Sequence, residues 1–553
     1  MSVEKLIVDH METWTSALQT RSTAGRGSSG KIDLYGIKKL RELILELAVR
    51  GKLVPQDPND EPASDLLKRI AAEKAELVKQ GKIKKQKPLP EISEEEKPFE
   101  LPEGWEWVHL PDIYCSISES SRKIKSSEIL PEGKYPVIEQ SQEFISGYCN
   151  NECLLIKLNN PVIVFGDHTR NIKFIDFDFV VGADGVKILS PILICERFFF
   201  WQLRSFKLDV RGYARHFKVL NSCLFALPPI AEQERIVEKV SSLMSLCDQL
   251  EQQSLTSLDA HQQLVETLLG TLTDSQNTAE LAENWARISE HFDTLFTTEA
   301  SVDALKQTIL QLAVMGKLVP QDPNDEPASE LLKRIAQEKA QLVKEGKIKK
   351  QKPLPPISDE EKPFELPEGW EWCRIGNIVN IKSELVSPKD YLNLYQVAPD
   401  ITEKGTGRVI SKRTVKESGV KGPNSRFYKG QIVYSKIRPS LSKVFLAEYN
   451  GLCSADMYPL DCYINPNYLL KYILSIPFLM QVKKAENRIK MPKLNSDSFY
   501  NIIVAIPPYN EQQAIFDKIN SIEAVCNGLI SYIGIYHKTQ LHLADALTDA
   551  AIN

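Results

Sequence analysis

Two long segments of the chain place an apolar residue at every third or fourth position. The first covers residues 231–271 and follows Pro228-Pro229, and the second follows Pro507-Pro508. A spacing near 3.5 residues is typical of a helix whose apolar face forms a coiled-coil seam. The pattern therefore predicts two long helices that pack together, antiparallel. The predicted seam comprises Ile236, Val240, Leu243, Cys247, Leu250, Leu258, Leu264 and Leu268 in the first helix, and Ile515, Ile519, Ile522, Cys526, Leu529, Ile533 and Tyr536 in the second.

Shorter patterns predict helices and sheets elsewhere. Residues 40–49 and 64–79 have helical periodicity, and Ser64 is the expected N-cap of the second helix. Residues 108–226 and 373–505 are rich in β-branched and aromatic runs broken by Gly, Pro and Asn, which predicts strands. We expect two mixed α/β domains built around twisted sheets. Short helices are expected within them over residues 191–206 and 466–485.

The chain contains an internal repeat. Residues 40–107 match residues 305–372 at 57 of 68 positions, at an offset of 265. A shorter repeat pairs LPPIAEQERIVEKV, from Leu227, with IPPYNEQQAIFDKI, from Ile506, at an offset of 279. The segments between the repeated blocks show no obvious similarity to each other. We call these repeated blocks, residues 40–107 with the segment from Leu227 and residues 305–372 with the segment from Ile506, the two copies of the frame. Each copy flanks a different domain, unlike a tandem array in which every part repeats.

The repeat also continues across the chain ends. Joining the C-terminus to the N-terminus would nearly complete a second copy of the helical region that follows the first domain. We infer a circularly permuted, pseudo-two-fold arrangement. The two termini are therefore expected to lie close together.

Charge is distributed unevenly along the chain. The net charge is −5 overall, but residues 374–505 carry +10, residues 108–226 carry +1, and the remainder carries −16. The second domain is thus a candidate for contact with phosphates, whereas the acidic remainder is better suited to protein partners or solvent.

Motifs for catalysis by this chain are missing or out of place. Residues 506–509, IPPY, lack the leading Asn or Asp of an adenine methyltransferase motif. Residues 25–30 match GxGxxG but follow a polar stretch, which indicates a flexible linker. The chain has no GxxxxGK[ST] segment, and EEK at residues 95–97 and 360–362 lies in an acidic connector without a neighbouring strand. We expect no catalytic residues.

Metal binding and membrane insertion are also not expected. The ten cysteines are scattered, with no CxxC pair, and are interpreted as free thiols. No apolar run approaches the ~20 residues that cross a bilayer, and the N-terminus has no signal-peptide pattern. The protein is expected to be cytoplasmic.

The repeated motifs carry a family resemblance. Through the duplicated LPEGWEW, the LPPIAEQERI and IPPYNEQQAIF segments, and the GDHTR and YSKIRPSL strands, the chain resembles the specificity subunits of type I restriction-modification enzymes. The resemblance implies that each β-rich domain is a target-recognition domain that reads one half of a bipartite, asymmetric site in double-stranded DNA. It implies that the helical regions fix the gap and dock two modification subunits, to which restriction subunits attach.

The resemblance also implies that cofactors bind to partners. No cofactor is expected in this chain, and S-adenosylmethionine, ATP and Mg are expected on the partner subunits. A predicted helix of ~40 residues would be roughly 60 Å long, comparable with almost two turns of B-DNA at ~34 Å each. Such a helix could set the distance between two readers, although a long amphipathic helix is more often a dimerisation or core element.

The expected fold class is α+β, with two mixed α/β target-recognition domains separated by two long-helix spacer regions in a pseudo-two-fold circular arrangement. The predicted domains are an N-terminal helical region and linker (1–104), target-recognition domain 1 (105–227), a central helical spacer with the second copy of the repeat (228–365), target-recognition domain 2 (366–506), and a C-terminal helix that pairs with the central helix (507–553).

Candidate DNA-binding residues are clusters of cations beside strand-like runs. Arginine can read guanine with two hydrogen bonds, whereas lysine mostly anchors phosphates. Ordinary solvated charge is the competing interpretation of each cluster. The candidates are His168, Arg170, Lys173, Arg211, Arg215, His216 and Lys218 in the first domain, and Lys436, Arg438, Ser440, Lys443, Arg488, Lys490 and Lys493 in the second.

Three alternatives remain open from the sequence. The lysines of GKIKKQKPLP could touch phosphates, but a charge run beside prolines is usually a solvated linker. The chain could serve a methylation-only or other phage-defence complex. It could also be a coiled-coil scaffold without DNA function, or a self-sufficient DNA methyltransferase or nuclease, which the missing motifs disfavour.

Overall fold

A computed structural model describes residues 3–21, 31–117, 123–182, 185–208, 215–486 and 492–552. The chain divides into two compact units, residues 1–257 with 535–553, and residues 258–534. Each unit contains one copy of the repeated frame and one β-rich domain. The helical regions do not form units of their own, because each long helix is divided between the two units.

The first unit begins with helices and continues into the first β-rich domain. Its helices are α1 (Val3–Asp9), α2 (Met11–Ser16), α3 (Tyr35–Val49), α4 (Ala63–Lys79), α5 (Glu196–Ser205), α6 (Phe217–Asn221) and the start of α7 (Ile230–Asp274). Its strands are β1 (Gln19–Arg21), β2 (Lys31–Asp33), β3 (Glu106–His109), β4 (Tyr114–Ile117), β5 (Tyr135–Ile138), β6 (Gly147–Cys149), β7 (Leu155–Ile156), β8 (Val162–Gly166), β9 (Ile172–Ile175), β10 (Phe179–Val181), β11 (Val186–Pro191) and β12 (Leu224–Leu227).

The second unit repeats this order. Its helices are α8 (Thr278–Glu290), α9 (Phe292–Leu295), α10 (Glu299–Val314), α11 (Ala328–Lys344), α12 (Ile375–Ile378), α13 (Val415–Ser418), α14 (Pro466–Ile473), α15 (Ile476–Ala485), α16 (Ser496–Tyr500) and the start of α17 (Tyr509–Ile552). Its strands are β13 (Glu371–Arg374), β14 (Val379–Ile381), β15 (Glu384–Val386), β16 (Tyr395–Val397), β17 (Asn424–Phe427), β18 (Ile432–Ser435), β19 (Val444–Leu446), β20 (Gly451–Ser454), β21 (Met457–Cys462) and β22 (Ile503–Ile506).

The two β-rich domains share one fold despite their dissimilar sequences. One antiparallel sheet has the order β4-β11-β8-β9 in the first domain and β14-β21-β18-β19 in the second. The other sheet has the order β6-β5-β10-β7 in the first and β15-β17-β20-β16 in the second, with one parallel pair in each, β5 with β10 and β16 with β20. The domains differ in the extra edge strand, which is β6 beside β5 in the first and β15 beside β17 in the second.

Buried aliphatic and aromatic side chains join the two sheets of each domain. In the first domain, Ile138 and Phe179 from one sheet share a cluster with Val164 and Ile188 from the other. In the second domain, a cluster of the same kind contains Val397, Phe427 and Cys453 from one sheet and Val433, Phe445 and Met457 from the other. The central strands are buried on both faces, and in β8 and β10 every second side chain enters the cluster between the sheets, a requirement that many apolar sequences meet.

Each domain begins and ends at the same place in the frame. Its first strand pairs antiparallel with its last, with Glu106 opposite Leu227 in the first unit and Glu371 opposite Ile506 in the second. The chain therefore leaves the frame and returns to it through adjacent strands, which allows the contents of the domain to vary.

A buried carboxylate connects the start and the end of each domain to the frame. In the first unit, Glu232 accepts hydrogen bonds from the Trp105 indole at 2.9 Å and the Gln56 amide at 3.1 Å. In the second unit, Glu511 accepts them from Trp370 at 2.9 Å and Gln321 at 3.2 Å. Burial raises the pKa of both carboxyls.

The glutamine that follows each of these glutamates anchors a second turn. The Gln233 side-chain amide donates to Pro228 O at 3.0 Å, and its oxygen accepts from Cys195 N, at the start of α5, at 2.9 Å. Gln512 makes the equivalent bonds to Pro507 O and Asn465 N at 3.1 and 2.9 Å. The repeated EQ pair therefore ties together the proline turn, the exit helix and a domain helix.

The long helices confirm the main periodic prediction, with a shift in the seam. Ile236 to Leu250 are buried at the predicted positions, but Leu264 is 51% exposed and Val265, Leu269 and Leu272 are buried instead. An α-helix drifts about 20° per heptad from a 3.5-residue repeat. After four heptads this drift approaches one residue, which accounts for the shift. Tyr536 of α17, also predicted in the seam, is exposed.

Within the second unit, both long helices contribute to one hydrophobic cluster. Val265 and Leu269 of α7 share it with Cys526 and Ile533 of α17. The predicted pairing of the two helices is present there.

Two details of the shorter helices were wrong. The predicted Ser64 N-cap lies inside α4, whose N-cap is Pro62, because Ala63 N is already satisfied by Gly104 O at 2.8 Å. The helix predicted over residues 466–485 is broken into α14 and α15. The break at Ser475 places Pro477 in the first turn of α15, where a missing N–H costs little.

The C-terminal end of α17 joins the N-terminal half of the chain in the first unit. Tyr35 OH donates to Asp545 at 2.8 Å, and Lys52 Nζ donates to Ile552 O at 2.6 Å. The end of α17 therefore contacts both ends of α3, whereas the closeness of the termini themselves stays a prediction, because residues 1, 2 and 553 lie outside the described residues. In the described part of the chain, no helix is long and apolar enough to cross a bilayer.

One half-buried lysine in each unit ties the second frame helix, α4 or α11, to the start of the domain. Lys74 Nζ donates to Pro111 O at 2.6 Å, and Lys339 Nζ donates to Gly376 O at 2.6 Å and Val379 O at 3.0 Å. Burial lowers the pKa of Lys339 to about 8.

We predict that Trp370→Phe lowers the stability of the second unit by about 1–3 kcal/mol, because Glu511 loses a donor while it stays buried. The measurement is the shift of the urea unfolding midpoint. Trp285→Phe, at a side chain that is 38% exposed on α8, is the matched control and should change the stability by less than about 0.5 kcal/mol. Equal shifts in the two variants would contradict the anchoring role.

We predict that Lys339 makes stability rise with pH above its own pKa. Its folded pKa of about 8 lies below the ordinary lysine value near 10.4. Between these values the unfolded state binds more protons, so the free energy of unfolding increases with pH. The stability of Lys339→Met should lack this rise when urea midpoints are compared between pH 7.5 and 10. Lys333→Met, which removes an exposed lysine, should keep it.

Candidate nucleic-acid interface

In the first domain, the loop after β8 carries two of the predicted DNA-binding residues, His168 and Arg170, and a third, Lys173, lies in β9. The turn is tight, because Arg170 N donates to Gly166 O at 2.8 Å and Arg170 has a φ of 62°. A side chain at Gly166 would collide with Thr169. Gln140, from the other sheet, accepts from His168 N at 3.2 Å. The loop is therefore held rigidly by both sheets.

Not all of these side chains are available to a ligand. Arg170 is half-buried and donates to Leu208 O at 2.8 Å. Lys173 is 6% exposed, and its ammonium donates to Glu139 O at 2.7 Å and to Glu143 O. Burial lowers the pKa of Lys173. This geometry favours a role for Lys173 in positioning the loop.

The second predicted cluster of the first domain lies beside the same loop. The Asp167 backbone carbonyl accepts from His216 N at 2.8 Å, and its carboxylate accepts from Phe217 N at 2.8 Å. His216 is 1% exposed, with Nδ1 3.1 Å from Asp167 O. Arg215 and Lys218 are exposed on either side of it. The two clusters, about 50 residues apart in sequence, form one surface.

The second domain brings its two predicted clusters together in the same way. The loop after β18 and the segment before α16 form an isolated bridge between Ile437 and Lys493. Arg438 N donates to Pro492 O, and Leu494 N donates to Lys436 O, both at 2.8 Å. The β18 loop is the counterpart of the β8 loop, and α16 is the counterpart of α6.

The side chains of this second surface differ in their freedom. Arg438 is exposed at a φ of 45°. Asp456 lies between Lys436 and Lys493, at 3.8 and 3.3 Å. Lys443 Nζ donates to Pro399 O, and Ser440 N donates to Glu486 at 3.1 Å. Among the described residues predicted for this surface, Arg438 is therefore the one that is exposed.

Three predicted residues, Arg211, Arg488 and Lys490, lie outside the described residues. Sequence reasoning missed the acidic partners that shape the loops, Asp167, Asp456 and Glu486, because it searched for cations alone. Only the proximity of Asp167 to His168 in GDHTR hinted at one of them. The remaining contacts depend on tertiary structure.

Both surfaces place an arginine in the left-handed region of backbone space. Among the described residues outside glycine, only Arg170, Leu193, Arg438 and Ser442 have positive φ. Such backbone costs of order 1–3 kcal/mol and concentrates at functional sites. Its occurrence at one arginine in each equivalent loop makes these loops the candidates for function.

The comparisons with known proteins agree with this architecture. Residues 102–260 and 367–533 match the type I restriction modification DNA specificity domain. The specificity subunit of the type I restriction enzyme EcoAI from Escherichia coli is 51% identical, and that of EcoEI from the same species is 49% identical, each over all of both chains. A solved HsdS subunit from Thermoanaerobacter tengcongensis aligns at 16% identity over 83% of this chain and 98% of that one, with a TM-score of 0.37. The chain belongs to the family of DNA specificity subunits of type I restriction-modification enzymes.

Proposed function

We propose that this chain reads a bipartite, asymmetric site in double-stranded DNA, with one half-site for each β-rich domain. The observation that carries the proposal is that two domains of one fold present different side chains on equivalent loops. Closely similar frames with different loops suit a ligand whose two halves differ in sequence. Arg438 in one domain, and Arg215 and Lys218 in the other, are the exposed side chains that we assign to direct DNA contact.

We propose that the chemistry belongs to partner subunits. Adenine methylation would be carried out by two modification subunits that bind S-adenosylmethionine, and restriction by subunits that use ATP and Mg. The duplicated frame supports two equivalent docking sites for modification subunits. The long helices would set the number of base pairs between the half-sites. This chain would contribute recognition without catalysis.

The proposal predicts one methylated motif. The chain would be co-expressed with its cognate modification subunit, and N6-methyladenine would be mapped across the host genome by single-molecule sequencing. We expect a single bipartite asymmetric motif. Exchanging residues 373–505 for those of a relative should change one half of the motif and leave the other intact. A stable complex that methylates no motif would contradict the proposal.

Arg438→Gly should separate DNA binding from folding. Glycine adopts positive φ without the steric cost of a side chain, so the urea midpoint should stay the same or rise, by up to about 1 kcal/mol in stability. DNA affinity for the mapped site should fall by about 1–3 kcal/mol, measured by fluorescence anisotropy. Arg287→Ala on α8, an exposed arginine outside the β-rich domains, should leave affinity unchanged. Unchanged affinity in Arg438→Gly would remove Arg438 from the interface.

A further inference from the structure

The segment GKIKKQKPLP occurs twice without a single difference, at residues 81–90 and 346–355. We call each copy a basic arm. It follows α4 in the first unit and α11 in the second, and it begins at a glycine with a φ of 70° in both. Each arm carries four lysines: Lys82, Lys84, Lys85 and Lys87 in the first, and Lys347, Lys349, Lys350 and Lys352 in the second.

The basic arms are docked on the domains by matching bonds. Gln86 accepts from the half-buried Lys74 at 2.9 Å, and Gln351 accepts from Lys339 at 3.4 Å. The carbonyl of Pro90 lies 2.8 Å from His109 Nε2. At the equivalent place, the carbonyl of Pro355 accepts from Arg374 Nε at 3.0 Å. A freely solvated linker would not repeat these contacts at both copies.

All eight arm lysines are exposed. Only Lys347 and Lys352 form ion pairs within the described residues, with Glu345 at 2.7 Å and Asp497 at 3.5 Å. The Lys352 and Asp497 side chains are 88% and 71% exposed, so solvent screens their attraction. The backbone of the arm is fixed while its positive charge remains available.

The second arm adjoins the recognition surface of its own domain. With Lys382, Ser496 and Asp497, its lysines line a groove of about 660 Å³. Ser496 begins α16, three residues after Lys493 of the surface that we assign to DNA. In the first domain, the helix that corresponds to α16 is α6. Its second residue is Lys218, where α16 has Asp497, so α6 lacks this acidic side chain.

We propose that each basic arm binds the phosphate backbone of DNA beside the half-site that its domain reads. The proposal rests on the proposed function. The phosphate backbone is the part of the ligand that is the same for both half-sites, and phosphate contacts carry no sequence information. The two arms are identical in sequence, whereas the two β-rich domains beside them differ. This difference matches a DNA ligand with a uniform phosphate backbone and two different half-site sequences.

The basic arms could instead bind two copies of a modification subunit, since such a partner would also present the same surface to both arms. The composition of the arm disfavours this alternative. Protein interfaces are depleted in lysine, whereas lysine is a common phosphate anchor. The arm has four lysines in ten residues and only Leu89 as an exposed large apolar side chain. Its chemistry therefore fits a polyanion better than a folded protein.

The test is the salt dependence of DNA binding by the complex with the modification subunit. All eight arm lysines would be changed to glutamine, and affinity would be measured across a series of salt concentrations for a duplex with the mapped motif and one without it. Affinity decreases as salt increases, so a plot of log affinity against log salt has a negative slope. For every phosphate that the variant no longer neutralises, the magnitude of this slope should decrease by roughly 0.9. We expect the magnitude of the slope to decrease by at least about 2 for both duplexes. The methylation motif should stay unchanged.

The matched control changes exposed lysines of α4 and α11, at Lys68, Lys79, Lys333 and Lys344, to glutamine, and it should keep the original slope. An unchanged slope in the arm variant would overturn the proposal, even where the motif is present. Loss of the modification subunit at an unchanged slope would assign the arm to protein docking instead. Absence of any motif in the unaltered complex would be a failure of the proposed function, which is a separate result.

Discussion

The buried carboxylate of Glu232, and of Glu511 in the second unit, is the constraint on which each domain depends. It accepts from an indole at the start of the domain and from an amide of the frame, while it lies in the first turn of the exit helix. Three segments that are up to 190 residues apart in sequence meet at one group. Because a buried acceptor without its donors is costly, substitutions inside the domain are tolerated only while these ends stay together.

This anchoring separates the role of the frame from that of its contents. The first and last strands of each domain pair with each other, so the domain begins and ends at one point of the frame. Between them, a common strand order is reached by sequences without obvious similarity. Apolar side chains on the strands fill the space between the two sheets in both domains, and the loops at the strand ends are free to differ. Variation in DNA reading therefore need not alter the way the frame is assembled.

The helices and the repeat could be predicted from the sequence more accurately than the contacts of the loops after β8 and β18, for physical reasons. Helical periodicity and an internal repeat are local signals, and they predicted α7, α17 and the paired domains. The shift of the seam from Leu264 to Val265 required the true helical pitch. Cation clusters such as Arg215 and Arg438 could be found by composition. The burial of Lys173 and the acidic partner Asp456 depend on contacts between strands that no local pattern specifies.

The circular repeat extends to single hydrogen bonds, which gives the strongest argument for it. Lys52 Nζ donates to Ile552 O, and Lys317 Nζ donates to Thr273 O at 2.8 Å. The lysines are related by the offset of 265, and the carbonyls by the offset of 279 in the opposite direction along the chain. Each lysine meets the last turn of a long helix, where the exposed carbonyls favour a cation. The same bond therefore occurs once in each unit, at positions that the circular repeat relates.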